Sequence, residues 1–417
     1  MKLFRRGPRN VTCNPSHPPD GFPTQNARAK QSSARFNGQP ILFIASGTFL
    51  ALSAASVVWE WLAAAATEQF FRSHSYPSTP PPIQPSTEIL PPASILIPLK
   101  GASPVNGPSL RSMLAQDYLD FDVIVGMEEE DTDAATFVNA LQKEPFGERL
   151  RLAQGSNSRG GRSQVSNIHH AMAVSKADVF VIVDADIVAG PGFLLRMVHP
   201  LLASGTGAAT CFYRQGGGGS LWNVVDGLWT STSFLPSAIF GRRVIGQAFT
   251  FGAARSIRRD VLESAGGFGS IDPAGMDDYQ LGQLAVAAGF SVEFVPYVVT
   301  ELMPRLHFLQ LVNRRTRWFR NIRILQPAGY AGSIITYGVG LALLSALCRP
   351  KEPGRWQWLG VVTANRLVCA ALVRRHLDPG ASMIDVGLTP VRDLLALAVW
   401  ALGFTAAKDP RFRLRRK

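Results

Sequence analysis

The chain has 417 residues, of which 46% are hydrophobic and only 17% charged, with a mean hydropathy of +0.09. That is too long for one simple domain and too poor in charge for an ordinary soluble one, so a globular domain joined to membrane segments is expected. The net charge of +12 comes without a zinc, helix-turn-helix or RNA-reading signature, which sets nucleic acid aside as a partner and leaves an anionic membrane face and a diphosphate-bearing substrate. The four cysteines, Cys13, Cys211, Cys348 and Cys369, form no CxxC pair, so neither a disulfide framework nor a zinc site is indicated.

Residues 1–38 are polar, carry seven Lys/Arg and read as a disordered basic arm. Ile41–Ala66 is long and apolar enough to span a bilayer, which predicts a membrane anchor over 39–66. Residues 67–92 form a proline-rich linker, with seven prolines between 77 and 92. A domain over 93–303 follows. Its apolar runs Ser94–Leu99, Phe121–Met127 and Asp178–Val183 predict buried strands, and Asp133–Lys143 and Ser163–Ser175 predict helices between them. That alternation argues an α/β fold with a mainly parallel sheet. Gly207–Tyr213 and Phe249–Ile257 are further strand candidates, and Gly216–Gly219 reads as an exposed loop.

Residues 304–330 mix apolar residues with arginines and predict an amphipathic helix on a membrane interface. Ser333–Cys348, Trp358–Val373 and Leu388–Ala407 then predict two or three C-terminal spans over 331–410, imperfect because of Arg366 and Arg392-Asp393. The tail 411–417 is basic. The arginine-rich domain is expected on the cytoplasmic side; a single anchor then puts the basic arm outside against the same rule, unless the first apolar segment is re-entrant, charge on so long an arm counts little, or the true start codon lies downstream.

Three signatures carry chemistry. Asp184-Ala185-Asp186 ends an apolar strand, where an open α/β sheet binds ligands. Two carboxylates there suit a divalent cation on a diphosphate, or else form a solvated turn. Asp277-Asp278 precede a helix; they are either helix-start carboxylates or a general base for a hydroxyl attacking an anomeric carbon. Arg314, Arg317 and Trp318 share a helical face, suited to gripping a diphosphate and stacking a ring, or to snorkelling above lipid headgroups. The neighbours Arg315, Arg320 and Arg323 are expected to snorkel. His169-His170 are expected to be structural. The apolar stretch Leu221–Phe251, with Trp222, Trp229, Phe234 and Phe240, is the candidate acceptor side, or else core.

In this order the motifs resemble the ceramide glucosyltransferase-like enzymes of the family 21 and family 2 type, and within them most the bacterial hopanoid-biosynthesis glycosyltransferases. The resemblance covers residues 93–345 and is carried by Ile97–Gly101, Val165–Asn167, Asp184–Ile187, Phe234–Ser237, Phe251–Ala253, Gly266–Phe268, Asp277–Gly282 and Arg317 through Ser333. It implies a GT-A-type, nucleotide-sugar-binding domain and an integral protein of the bacterial inner membrane. The implied activity is inverting transfer of one sugar from a UDP-sugar to the hydroxyl of a hopanoid or ceramide lipid, with Mg²⁺ or Mn²⁺. Asp184 would face the nucleotide and share the metal with Asp186, Asp278 would be the base, and Arg314, Arg317 and Trp318 would close over the diphosphate and acceptor. Two departures fall on the donor side: Ser103 stands where an acid is usual, and Arg162-Ser163-Gln164 replaces Asn-x-Lys. Ser103, Arg162 and Gln164 are therefore the expected donor contacts. A catalytically degenerate lipid- or partner-binding relative and a polysaccharide synthase are the competing readings.

Overall fold

The computed structural model describes residues 39–73, 90–156, 163–272 and 276–405. The basic arm, most of the linker, Arg162 and the basic tail lie outside the described residues. A long helix α1 (Gln39–Ser73) leads into the domain. It continues past Ala66 into the predicted linker because Phe70 and Phe71 pack on Phe212 of the domain core.

The domain alternates strands and helices: β1 (Ala93–Pro98), α2 (Asn106–Leu114), β2 (Phe121–Glu128), α3 (Thr132–Leu141), β3 (Leu150–Gly155), α4 (Ser163–Val174), β4 (Val179–Val183) and β5 (Ile187–Val188). Then come α5 (Phe193–Val198), β6 (Thr206–Gly217), α6 (Leu221–Trp229), α7 (Leu235–Ile245), β7 (Ala254–Arg258), α8 (Arg259–Ser264), α9 (Asp277–Ala287) and β8 (Ser291–Met303). The eight strands form one sheet in the order β3-β2-β1-β4-β7-β6-β8-β5. β1, β2, β3 and β4 run parallel, while β7 is antiparallel to both neighbours. Helices cover both faces of the parallel half, so β1 and β4 are buried almost throughout and read as continuous apolar runs.

Two expectations need correction, and one strand was missed. Only Ala254–Arg258 of the run Phe249–Ile257 is strand; Phe249 and Phe251 instead pack with Phe294 and wall a cavity. Gly216 and Gly217 belong to β6, paired with Leu302 and Met303, so only half of the glycine run is loop. The 13-residue β8 went unrecognised, because its polar positions Glu293, Thr300 and Glu301 interrupt the apolar pattern.

After the domain come α10 (Phe308–Leu325), α11 (Pro327–Gly332), α12 (Gly338–Cys348), α13 (Pro353–Leu377) and α14 (Thr389–Thr405). Three helical stretches are long and apolar enough to cross a membrane: Pro40–Ser73, Pro353–Leu377 and Met383–Phe404. A bent pair, Pro327–Thr336 with Gly338–Cys348, makes a fourth candidate with a 69° break near Tyr337. The protein is thus an integral membrane protein. α12 and α13 pack on α1, with Ser46 Oγ donating to Ser345 O at 2.9 Å and Trp358 Nε1 donating to Ser53 Oγ at 2.8 Å.

The charges that made the C-terminal spans look imperfect lie inside one polar knot. Arg366 donates to Asp393 at 3.0 Å and to Thr232 O at 3.0 Å, with Glu60 at 3.7 Å. Arg392 donates to Thr232 Oγ1 at 3.0 Å. Thr232 sits in the π-helical turn Thr230–Phe234 between α6 and α7, so the knot ties α1, α13 and α14 to the domain. Pairing is what permits such groups to be buried among apolar helices.

Candidate functional site

The strand order reverses about β1, with β2 on one side and β4 on the other. The C-terminal ends of β1 and β4 therefore open a crevice of the kind in which α/β sheets bind ligands. Asp184 and Asp186 leave β4 into this crevice. Their turn is fixed by Asp184 N donating to Ala253 O at 3.2 Å and Ile187 N donating to Asp184 O at 3.2 Å. From α2, Asn106 Nδ2 donates to Ala185 O at 2.8 Å and Ser109 Oγ donates to Ile187 O at 2.7 Å. Asn106 also accepts from Ser103 N at 2.7 Å, so it holds the exposed Ser103 beside the acidic turn. Gln164 donates to Asp184 Oδ1 at 3.0 Å.

These acids sit in a desolvated setting. Burial pushes Asp184 well above the ordinary carboxylate range, with Arg255 opposing and Asp186 and Asp277 reinforcing the rise. Asp186 is pushed up to about 7, first by burial and then by the charge of Glu301, with Arg314 pulling the other way. Glu301 lies on β8 opposite Ile187 in the antiparallel register. It accepts from Arg314 Nη2 at 2.7 Å and from Gln215 Nε2 at 3.3 Å. Glu301 was missed in the sequence; the available signal is a lone acid in the run Val298-Val299-Thr300-Glu301-Leu302-Met303.

The residues present fit a hard divalent cation. Among the described residues no three His, Cys, Asp or Glu side chains converge into a cage. Asp184 and Asp186 instead offer clustered, desolvated oxygen ligands, as Mg²⁺ requires when substrate phosphates complete its shell.

Asp277 and Asp278 part company at the start of α9. Asp277 is buried in an ion pair with Arg255, which also donates to Gly252 O at 2.6 Å. Asp278 is half-buried and faces Gly252, and Thr250 Oγ1 donates to its carbonyl at 2.7 Å. A Cβ on Gly252 would lie 3.3 Å from Asp278 Oδ2 and 3.9 Å from Asp184 Oδ2. The carboxylates after β4 and at the start of α9 thus face one another across a residue with no side chain.

Beyond Asp278 a cavity of about 530 Å³ runs toward the membrane helices, lined among others by Trp229, Phe234, Phe251, Trp318, Tyr330 and Tyr337. Trp318 packs edge-on against Phe234 with ring centroids 4.9 Å apart. Two of the four aromatics named in the predicted acceptor stretch, Trp229 and Phe234, are here; Trp222 and Phe240 pack elsewhere, tilted against Phe308 and edge-on to Trp59.

α10 lies across both regions. Arg314 points to the acidic turn through Glu301, with its Nε 3.5 Å from Asp226 Oδ2. Arg317, one turn on from Arg314, is exposed and makes no hydrogen bond or ion pair among the described residues. Arg315 does not snorkel. It is buried against Asp226, donates to Thr230 Oγ1 at 3.0 Å and lies 5.1 Å above the rings of both Trp229 and Trp318. Asp226, also missed in the sequence, anchors α10 to α6. His170 is structural as expected: it lies 3.2 Å from Ser166 and fills the space a Cβ on Gly155 would need.

An acidic turn at the switch point thus has an apolar cavity beside it and membrane helices behind. The model of glycosyl transferase family 21 matches residues 49–410, and the chain belongs to that family. The chain is also 27% identical over 159 residues to a ceramide glucosyltransferase of Komagataella phaffii, a match covering 37% of this chain and 31% of that protein. Among solved structures, a Pyrobaculum calidifontis mannosyltransferase in complex with GDP-Man and Mn²⁺ matches with a TM-score of 0.49 and 16% identity, over 88% of this chain and 97% of that one. A residue 1–349 structure of Staphylococcus aureus TarS matches with a TM-score of 0.35 and 12% identity, over 76% and 93%.

Proposed function

We propose that this glycosyltransferase moves one sugar, with inversion, from a UDP-sugar to the hydroxyl of a membrane lipid of the hopanoid or ceramide type. The observation that carries the reading is the cavity of about 530 Å³, whose lining joins Asp278 of the domain to Tyr330 and Tyr337 of the elements that follow it. An apolar lipid body fits such walls, and its hydroxyl would reach Asp278.

In this reading the donor lies in a GT-A-type crevice, its diphosphate against Asp184, Asp186 and Arg314. A divalent cation held by the two aspartates would neutralise charge on the leaving diphosphate. Arg314, held in place by Glu301 and Asp226, adds a fixed positive charge at the same place. The acceptor oxygen attacks the anomeric carbon, the bond from that carbon to the diphosphate oxygen breaks, and its electron pair leaves with UDP. Asp278 takes the hydroxyl proton. One displacement needs one base, so no carboxylate nucleophile is required. Trp318 and Phe234 exclude water from the junction of donor and acceptor. In this reading the domain lies on the cytoplasmic side of a bacterial inner membrane, where the chain's net charge of +12 suits anionic lipid.

The test is product stereochemistry. With an α-linked UDP-sugar and a lipid acceptor, proton NMR of the glycolipid should show a β-linkage. An α-linked product would overturn the single-displacement reading.

A further inference from the structure

Length and composition make α14 a candidate span, but its contacts place both of its ends on the domain side of the membrane bundle. At its start, Arg392 donates to Thr232 Oγ1 at 3.0 Å, and Asp393 accepts from Arg366 at 3.0 Å. Thr232 belongs to the turn between α6 and α7 of the domain. At the other end, Trp400 Nε1 donates to Tyr330 O at 2.9 Å and Tyr330 Oη donates to Trp400 O at 2.6 Å. Arg323 Nη1 donates to Phe404 O at 3.0 Å.

Arg323 and Tyr330 are not distal residues. Arg323 is on α10, whose Arg314 reaches the donor crevice, and Gln326 just after it donates to Tyr279 Oη of α9 at 2.9 Å. The distal end of the bundle is marked elsewhere, where the Arg349 guanidinium lies 4.8 Å over the ring of Phe43 and α1 begins. The middle of α14 packs on Gly340, only the third residue of α12, where a Cβ would lie 2.7 Å from Leu397. A spanning helix that started at Arg392 would have its last turn near Arg349. This one turns back to α10.

We propose that α14 lies in the plane of the bilayer interface on the domain side, as an apolar deck over α10 and α11, while α1 and α13 cross. Its uncovered face fits that position. Val391, Leu394 and Leu402 are 50%, 40% and 47% exposed and recur at helical spacing on one side. Acyl chains at the headgroup boundary are the occupant this stripe fits, because it is continuous with helices that themselves face lipid. The opposite side, through Trp400 and Gly403, backs Tyr330 and Phe319, which line the acceptor cavity. The deck therefore closes that cavity from the membrane side. The arrangement is independent of which sugar or lipid is used.

The experiment is spin-label depth measurement by electron paramagnetic resonance on the full chain in liposomes. Val391→Cys, Leu394→Cys, Ala398→Cys and Leu402→Cys are labelled one at a time, with labelling of the unsubstituted chain as background. All four positions are exposed, so the fold is retained, and Val391→Cys with Leu402→Cys suffices for a decision. Ile44→Cys and Val58→Cys on α1 calibrate the scale, since a spanning helix separates them by ~21 Å along the membrane normal. The expected result is four shallow labels within ~5 Å of a common depth, about one helical pitch. Depth that changes steadily by ~16 Å from 391 to 402, passing through the bilayer centre, would overturn the proposal.

Discussion

Arg314 donates to Glu301 at 2.7 Å, and this bond joins the helix over the site to the strand beside the acidic turn. Glu301 has two effects there. It aims the guanidinium, and its charge helps to push Asp186 up to about 7. Glu301→Gln should keep the aim through its amide oxygen and remove the charge. The acidic limb of the kcat/KM profile should then move to lower pH by about half a unit or more. An unmoved limb with an unchanged KM for the donor would show that Glu301 does not act on Asp186.

The neighbours Asp277 and Asp278 should respond differently. Asp277→Asn leaves Arg255 buried without its counter-charge, which costs about 3–5 kcal/mol and should appear as a large fall in Tm. Asp278→Asn should leave Tm nearly unchanged and lower kcat by about 10²–10⁴-fold. Thermal unfolding of both variants beside their turnover rates separates the two roles.

The pH dependence of stability follows from the raised carboxylates. The folded state holds a proton on Asp186 up to about 7, whereas the unfolded chain releases it near the ordinary value of 3.8. Between those limits the native state binds more protons, so without metal the stability should fall as pH rises through this window. Mn²⁺ or Mg²⁺ with UDP should reverse the trend, because its ligands must be ionised, and apparent metal affinity should rise with pH up to about 7. Asp186→Asn should raise the metal-free Tm at pH 7.5 by an amount corresponding to about 1 kcal/mol and abolish the stabilisation by metal and UDP. Differential scanning fluorimetry against pH checks each sign.

Gly252 tests the spacing between the two carboxylates. Its backbone is not in the left-handed region, so Gly252→Ala is tolerated by the chain itself. The added methyl would lie 3.3 Å from Asp278 Oδ2 and 3.9 Å from Asp184 Oδ2. Displacing either acid by a fraction of an ångström should lower kcat by about 10–100-fold with little change in Tm. Steady-state rates and unfolding curves on the same preparation decide it.

Much of this was legible before the structure because the signals are local. Continuous apolar runs marked β1, β2 and β4, and the acids after β4 marked the crevice. What stayed hidden depends on pairing between distant segments. Glu301 and Asp226 matter only because β8 lies beside β5 and α10 crosses α6. Arg315 looked like a snorkelling residue on a periodic helix, and only its burial against Asp226 says otherwise. Arg366, Arg392 and Asp393 looked like faults in membrane spans, and proximity alone shows them as partners. The helical spacing of Arg314 and Arg317 was read correctly, yet at i and i+3 one side chain reaches the crevice and the other is exposed.

The most direct test of the central claim is UDP release by the purified chain in lipid with Mg²⁺ or Mn²⁺. A panel of UDP-sugars is offered with a ceramide or a hopanoid polyol, beside Asp278→Asn. Release that requires one lipid acceptor and falls at least about 100-fold in the variant is the predicted result. Release that ignores the lipid, or that persists in Asp278→Asn, would contradict the account, as would a folded, lipid-binding chain that releases no UDP from any pair.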